Sequence, residues 1–218
     1  MAHLVNLPLV ASDGKPLVHK HYRQEQDPAG LLIALPGNHY GVDGPLLYYP
    51  CRLLQDEGWD TLALTYSFQS AGVEFSHEMF PVVLQECQNA IRRILSERDY
   101  SRIGLVGKSL GAFVIAQLSV TEEALQSARC LYITPPLGTP FFDDLFQQSS
   151  HPAHISVGMK DRFYSPQAIE ALNAKRYFTM TIIEDADHSM DVTGDLAASV
   201  EAVHRVTLEG VDFILNDM

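Results

Sequence analysis

Positive charge is scarce in this chain. Fifteen lysines and arginines stand against 27 aspartates and glutamates, a formal net charge of −12, and no basic run occurs. That balance argues against nucleic acid or an anionic membrane surface as a partner. Cysteine is scarce as well: Cys51, Cys87 and Cys130 are odd in number, far apart and each set in an apolar segment. Free buried thiols are therefore expected rather than a disulfide framework, and without CxxC-type spacing neither a metal nor a cofactor is expected. No stretch approaches the roughly 18 uninterrupted apolar residues of a membrane span. The opening "MAHLVNLPLVASDGK" has no basic segment ahead of a long apolar one, so a soluble, cytoplasmic protein is expected. No GxGxxG follows the first parallel-strand pattern, which excludes a dinucleotide-binding reading.

The chain does have enough apolar residues for a core. Of 218 residues 46% are hydrophobic, and with no repeat, low-complexity segment or linker, one domain over 1–218 is expected. Two short extended runs, 3–10 and 16–22, flank a Ser12-Asp13-Gly14-Lys15 turn and predict an antiparallel hairpin. Nearly continuous apolar runs follow at 31–36, 61–68, 102–109, 130–135, 154–161 and 179–188, the pattern of strands covered on both faces. Helix-period stripes lie between them at 45–57, 78–98, 110–120, 165–175 and 195–216. Strands alternating with helices predict a three-layer α/β/α sandwich around a mostly parallel, doubly wound sheet. Two aromatic-rich stretches, 66–77 and 135–151, read as loops at strand carboxyl ends, where such sheets bind ligands.

Chemistry enters at "IGLVGKSLGAFVIA", residues 103–116. The pentad Gly107-Lys108-Ser109-Leu110-Gly111 lies between a strand pattern and a helix pattern, where a sharp turn needs small residues flanking Ser109. A hydroxyl is a poor nucleophile at neutral pH, so Ser109 needs a base and a group that orients that base. Of nine histidines, His188 follows the last strand pattern. His19, His21, His151, His154 and His204 fall on the hairpin, ahead of a strand or inside the last helix, where packing or surface roles are expected. Asp161 ends "ISVGMKD" at another strand's carboxyl end and is preferred to Asp143, Asp144, Asp185 and Asp187. The order Ser109, Asp161, His188 over successive strand ends is that of a nucleophile, an acid and a base on one sheet edge. For the oxyanion, the Leu110 N–H is one expected donor. The Asn38 or His39 N–H in "LPGNHYG" is the other, with no basis for choosing between them. Tyr40, Phe68, Phe142 and Phe163 are candidate substrate walls, and Lys108 is expected to extend its ammonium to water.

Taken together, "LLIALPGNHYG", "GWDTLALTY", "IGLVGKSLGA", "ISVGMKD" and "DADHSM" resemble the α/β hydrolase superfamily, in particular its small, capless serine esterase, thioesterase and dienelactone-hydrolase-like members. The resemblance implies Ser109 as nucleophile, His188 as general base and then acid, Asp161 orienting His188, and the Leu110 amide in the oxyanion hole. The expected reaction is cleavage of a small-molecule ester or thioester through an acyl-enzyme. A hydrolase-fold binding or scaffolding protein with an idle site is the competing expectation.

Overall fold

An eight-stranded sheet carries helices on both faces in the computed structural model, which describes residues 1–176 and 178–216. The chain runs β1 (Ala2–Val5), β2 (His19–Gln24), β3 (Leu31–Leu35), α1 (Pro45–Asp56), β4 (Asp60–Leu64), α2 (Ser67–Ser70) and α3 (Phe80–Glu97). It continues through β5 (Ile103–Lys108), α4 (Leu110–Thr121), β6 (Arg129–Ile133), α5 (Pro140–Gln148), β7 (Ala153–Gly158), α6 (Pro166–Asn173), β8 (Thr179–Ile183) and α7 (Leu196–Leu215). Strand order is β1-β2-β4-β3-β5-β6-β7-β8. The strand β2 is antiparallel to both neighbours, and all later pairs are parallel.

Side-chain pattern explains the layering. Every residue of β3, β4, β5 and β7 is buried, as expected of strands with a helix layer on each face. One layer packs Leu46, Leu47 and Leu54 of α1 with Ala202, Val206 and Ile214 of α7. The other packs Val83, Cys87 and Ile91 of α3 with Ile115 of α4, Phe142 of α5 and Leu172 of α6. Each large apolar side chain so buried contributes roughly 1.5–3 kcal/mol. Two helices start on side-chain caps: Ser165 Oγ accepts from Ala168 N at 3.2 Å, and Asp195 Oδ1 from Ala198 N at 2.9 Å. Each cap is worth about 1 kcal/mol.

Three sequence expectations need adjustment. The hairpin is real, but continuous pairing covers only Ala2–Val5 against His21–Gln24, with an isolated Val10–Pro16 bridge nearer the turn. The run at 61–68 ends as a strand at Leu64, and Ser67–Ser70 form the short α2. The stretch 135–151 is not a loop throughout, because Pro140–Gln148 form α5, which buries Phe142, Leu145 and Phe146 at helical spacing. Among the described residues no helix is long and apolar enough to cross a membrane.

The arrangement positions the site. Strand β3 lies between β4 and β5, so the connections leave the sheet centre in opposite directions. In open α/β sheets such a reversal marks the place at the carboxyl ends where ligands bind. The segment after β3, the turn after β5 and the loops after β7 and β8 all emerge on that edge.

Candidate active site

Strand β5 turns into α4 within one residue. Ser109 has φ 52° and ψ −106°, a conformation that costs a non-glycine residue about 1–3 kcal/mol and survives only where surrounding contacts hold it. Its N–H donates to the Ile133 carbonyl at 2.9 Å, and its carbonyl accepts from Phe113 N at 3.1 Å. The flanking glycines are steric necessities. A Cβ on Gly107 would lie 2.5 Å from the Gly111 carbonyl carbon, and one on Gly111 would lie 2.1 Å from the Leu35 carbonyl oxygen. Ser109 is half-buried at the positive end of α4. Among the described residues neither its hydroxyl nor the Leu110 N–H has a protein partner.

Asp161 follows β7 and is buried, whereas His188 follows β8 and is half-buried. Asp161 Oδ2 lies 2.8 Å from His188 Nδ1, and its Oδ1 accepts from Phe163 N at 2.9 Å. A carboxylate can only accept, so Nδ1 carries the hydrogen, which in the neutral ring leaves the lone pair on Nε2. The competing acids sit elsewhere. Asp187 Oδ1 accepts from Ser189 N at 2.7 Å and Asp191 N at 3.1 Å, shaping the loop that carries His188. Asp185 pairs with Lys160 at 3.5 Å, and Asp143 accepts from Gly138 N at 3.2 Å. The fold thus joins Asp161 to His188 and sets Ser109 on the same sheet edge. It forms no Ser109–His188 hydrogen bond, as is common before substrate arrives.

Lys108 corrects an expectation. It does not reach water but is only 2% exposed. Its Nζ donates to the His188 carbonyl at 3.0 Å and to Thr134 Oγ1 at 3.3 Å, and it lies 4.9 Å from the centre of the Tyr40 ring. Burial outweighs the attraction of Asp161 and Asp187 and lowers its pKa to about 8. One ammonium therefore connects the serine turn, the His188 loop and the segment after β3. The pentad pattern holds no signal for this, because the partners are distant in sequence.

The expected substrate walls divide. Phe163 stands edge-on to His188 with ring centres 5.6 Å apart. Tyr40 is half-buried, its ring beside the Lys108 ammonium and its hydroxyl accepting from Leu46 N at 2.9 Å. Phe68 and Phe142 belong to the core instead: α2 turns Phe68 onto Tyr66 and Phe75, and α5 buries Phe142 between Tyr132 and Phe146. Gln69 was not singled out from the sequence, yet its side-chain amide reaches the carbonyls of Gly37 and Asn38.

Other features do not compete for the chemistry. A groove of about 610 Å³ between α1 and α7, walled by Leu53, Leu196, Val200 and Leu208, includes none of Ser109, Asp161 and His188. Cys51, Cys87 and Cys130 are free and buried, and burial raises all three thiols, Cys51 and Cys130 to about 12. Such thiols stay protonated and unreactive. Among the described residues no group of three His, Cys, Asp or Glu side chains is disposed to hold a metal ion.

Known proteins agree with this architecture. An α/β serine hydrolase homologue from Coxiella burnetii superimposes with a TM-score of 0.71 at 14% identity, covering 96% of each chain. A Xanthomonas campestris serine hydrolase without a lid gives 0.69 at 16% identity, covering 100% of this chain and 97% of that one. The esterase domain of a Rhodothermus marinus protein gives 0.65 at 13% identity, covering 96% of each. These likenesses establish the fold. No curated protein matches the sequence. The family described as "Alpha/beta hydrolase domain" matches residues 37–213, and by that match the chain belongs to the α/β hydrolase family.

Proposed function

We propose that this protein is a one-domain, capless serine hydrolase that cleaves a small ester or thioester through an acyl-enzyme. The observation that carries the reading is the 2.8 Å contact between Asp161 Oδ2 and His188 Nδ1 on the sheet edge where the strained Ser109 turn sits. In this reaction Ser109 Oγ attacks the acyl carbon while His188 Nε2 takes the hydroxyl proton. Buried Asp161 stabilises the imidazolium that forms. The tetrahedral oxygen, now anionic, accepts from Leu110 N–H and from the segment after β3. Removing one such donor typically costs about 10²–10³ in rate. Collapse expels the alkoxide or thiolate, which takes the proton from His188. Water then repeats the attack on the acyl-Ser109 with His188 again as base, releasing the acid and regenerating the serine.

The test is turnover of a chain-length series of aryl esters and acyl thioesters by wild type, Ser109→Ala and His188→Ala. Turnover by wild type alone supports the reading. Inert wild type would leave a hydrolase-fold binding protein, and equal turnover by Ser109→Ala would remove the nucleophile.

A further inference from the structure

The segment after β3 passes close to the serine turn: a Cβ on Gly37 would lie 3.6 Å from Ser109 Cβ and 3.3 Å from the Lys108 carbonyl oxygen. Two successive carbonyls of this segment meet one side chain. Gln69 Nε2 donates to Gly37 O at 2.8 Å and to Asn38 O at 3.1 Å, while its Oε1 accepts from Tyr66 N at 3.2 Å. Both amide hydrogens and the carbonyl oxygen of Gln69 are thereby committed. The side-chain orientation is also fixed, since a flipped amide would set oxygen against two carbonyl oxygens.

Peptide planarity carries this outward. The Gly37 carbonyl shares its plane with Asn38 N–H, and the Asn38 carbonyl shares its plane with His39 N–H, each pair pointing in opposite directions. Two carbonyls drawn to one nitrogen therefore turn two consecutive N–H groups together to the far side, away from Gln69. Among the described residues neither N–H has a protein acceptor. Consecutive N–H groups turned the same way form an anion-binding concavity, and here it lies on a segment that passes beside Ser109.

We propose that Gln69 is the positioning residue of the oxyanion hole, holding the Asn38 and His39 N–H groups, both rather than one, toward the oxyanion that develops on the acyl carbon. The inference rests on the serine hydrolase reading above. Gln69 touches no reacting atom; it acts through the peptide planes. Its loss weakens binding of the transition-state oxygen more than binding of the ground-state carbonyl.

The experiment compares wild type, Gln69→Met and Gln69→Glu on 4-nitrophenyl acetate and on its thiono counterpart, whose sulfur is a poor match for donors set for oxygen. Gln69→Met keeps the length and removes the bonds; Gln69→Glu puts carboxylate oxygens against the two carbonyls. The expected result is a kcat loss of about 10–100-fold for Met, larger for Glu, with KM within about threefold of wild type. The ratio of oxygen-ester to thiono-ester rate falls by a comparable factor. That ratio is read within one sample, so it does not depend on how much of a variant folds. Unchanged kcat and ratio overturn the proposal, and so does lost kcat at an unchanged ratio, which would assign Gln69 to folding alone. If wild type cleaves neither compound, the hydrolase reading fails and this inference with it, a result distinguished by the wild-type arm alone.

Discussion

The two ends of the parallel strands treat histidine in opposite ways. At the carboxyl end His188 is half-buried, with Nδ1 2.8 Å from the Asp161 carboxylate and no partner for Nε2 among the described residues. At the amino end His154 is buried between Thr179 Oγ1 at 2.8 Å and Thr181 Oγ1 at 2.9 Å. Its neighbour His151 pairs with Ser149 Oγ at 3.0 Å and with the Leu125 carbonyl. Burial lowers the His154 pKa to about 4 against the attraction of Glu209, and lowers that of His151 as well. Hydroxyl and carbonyl partners leave a neutral ring as core packing, whereas a carboxylate partner can hold an imidazolium while a proton is in transit. The partner, more than burial, separates a candidate base from a structural histidine.

Breaking the carboxyl end has the largest expected effect. Ser109→Ala and His188→Ala should each lower kcat for an aryl ester by about 10⁴–10⁶ while thermal melting by circular dichroism shifts only slightly. Asp161→Asn follows, with a loss of about 10³–10⁴, because an amide in place of Oδ2 no longer enforces Nδ1–H. An unchanged rate there would mean that another carboxylate orients His188.

Lys108→Met sharpens the comparison through stability. The folded-state pKa of Lys108, about 8, lies below its ordinary 10.5. Below pH 8 the fold carries the full penalty of a buried charge. Between pH 8 and 10.5 only the unfolded chain holds the extra proton, so the stability of wild type should rise relative to Lys108→Met by up to about 3 kcal/mol. Parallel urea titrations of both proteins across that window measure it, and two curves of constant offset would contradict the placement of the ammonium.

The amino end is expected to affect stability and not turnover. His154 stays neutral in the fold down to about pH 4, below its ordinary 6.5. The unfolded chain therefore binds the extra proton as pH falls from 6.5 to 4, and stability declines through that window. His154→Gln should leave ester turnover at neutral pH alone and shallow the decline. His21, also lowered to about 4 by burial, accounts for part of what remains.

Legibility followed the range of the interactions. The doubly wound sheet could be read from continuous apolar runs alternating with helix-period stripes, because both are local patterns. Ser109, Asp161 and His188 could be singled out because each follows a strand pattern, and parallel strands place such residues on one edge. Phe142 was misassigned since Pro135, Pro136, Gly138 and Pro140 mark a loop, while the inward stripe of Phe142, Leu145 and Phe146 makes a helix of only nine residues. Lys108 and Gln69 were beyond reach for a different reason. Their partners lie 80 residues away at His188 and 32 and 31 residues away at Gly37 and Asn38, and only the folded sheet brings those segments together.

The central claim is that the strained serine after β5 is a working nucleophile. Intact-mass analysis of wild type after exposure to a fluorophosphonate, followed by peptide mapping, tests it directly. The expected result is one adduct per chain, on Ser109, absent from Ser109→Ala and strongly slowed in His188→Ala. No adduct, or an adduct on any other residue, would contradict it.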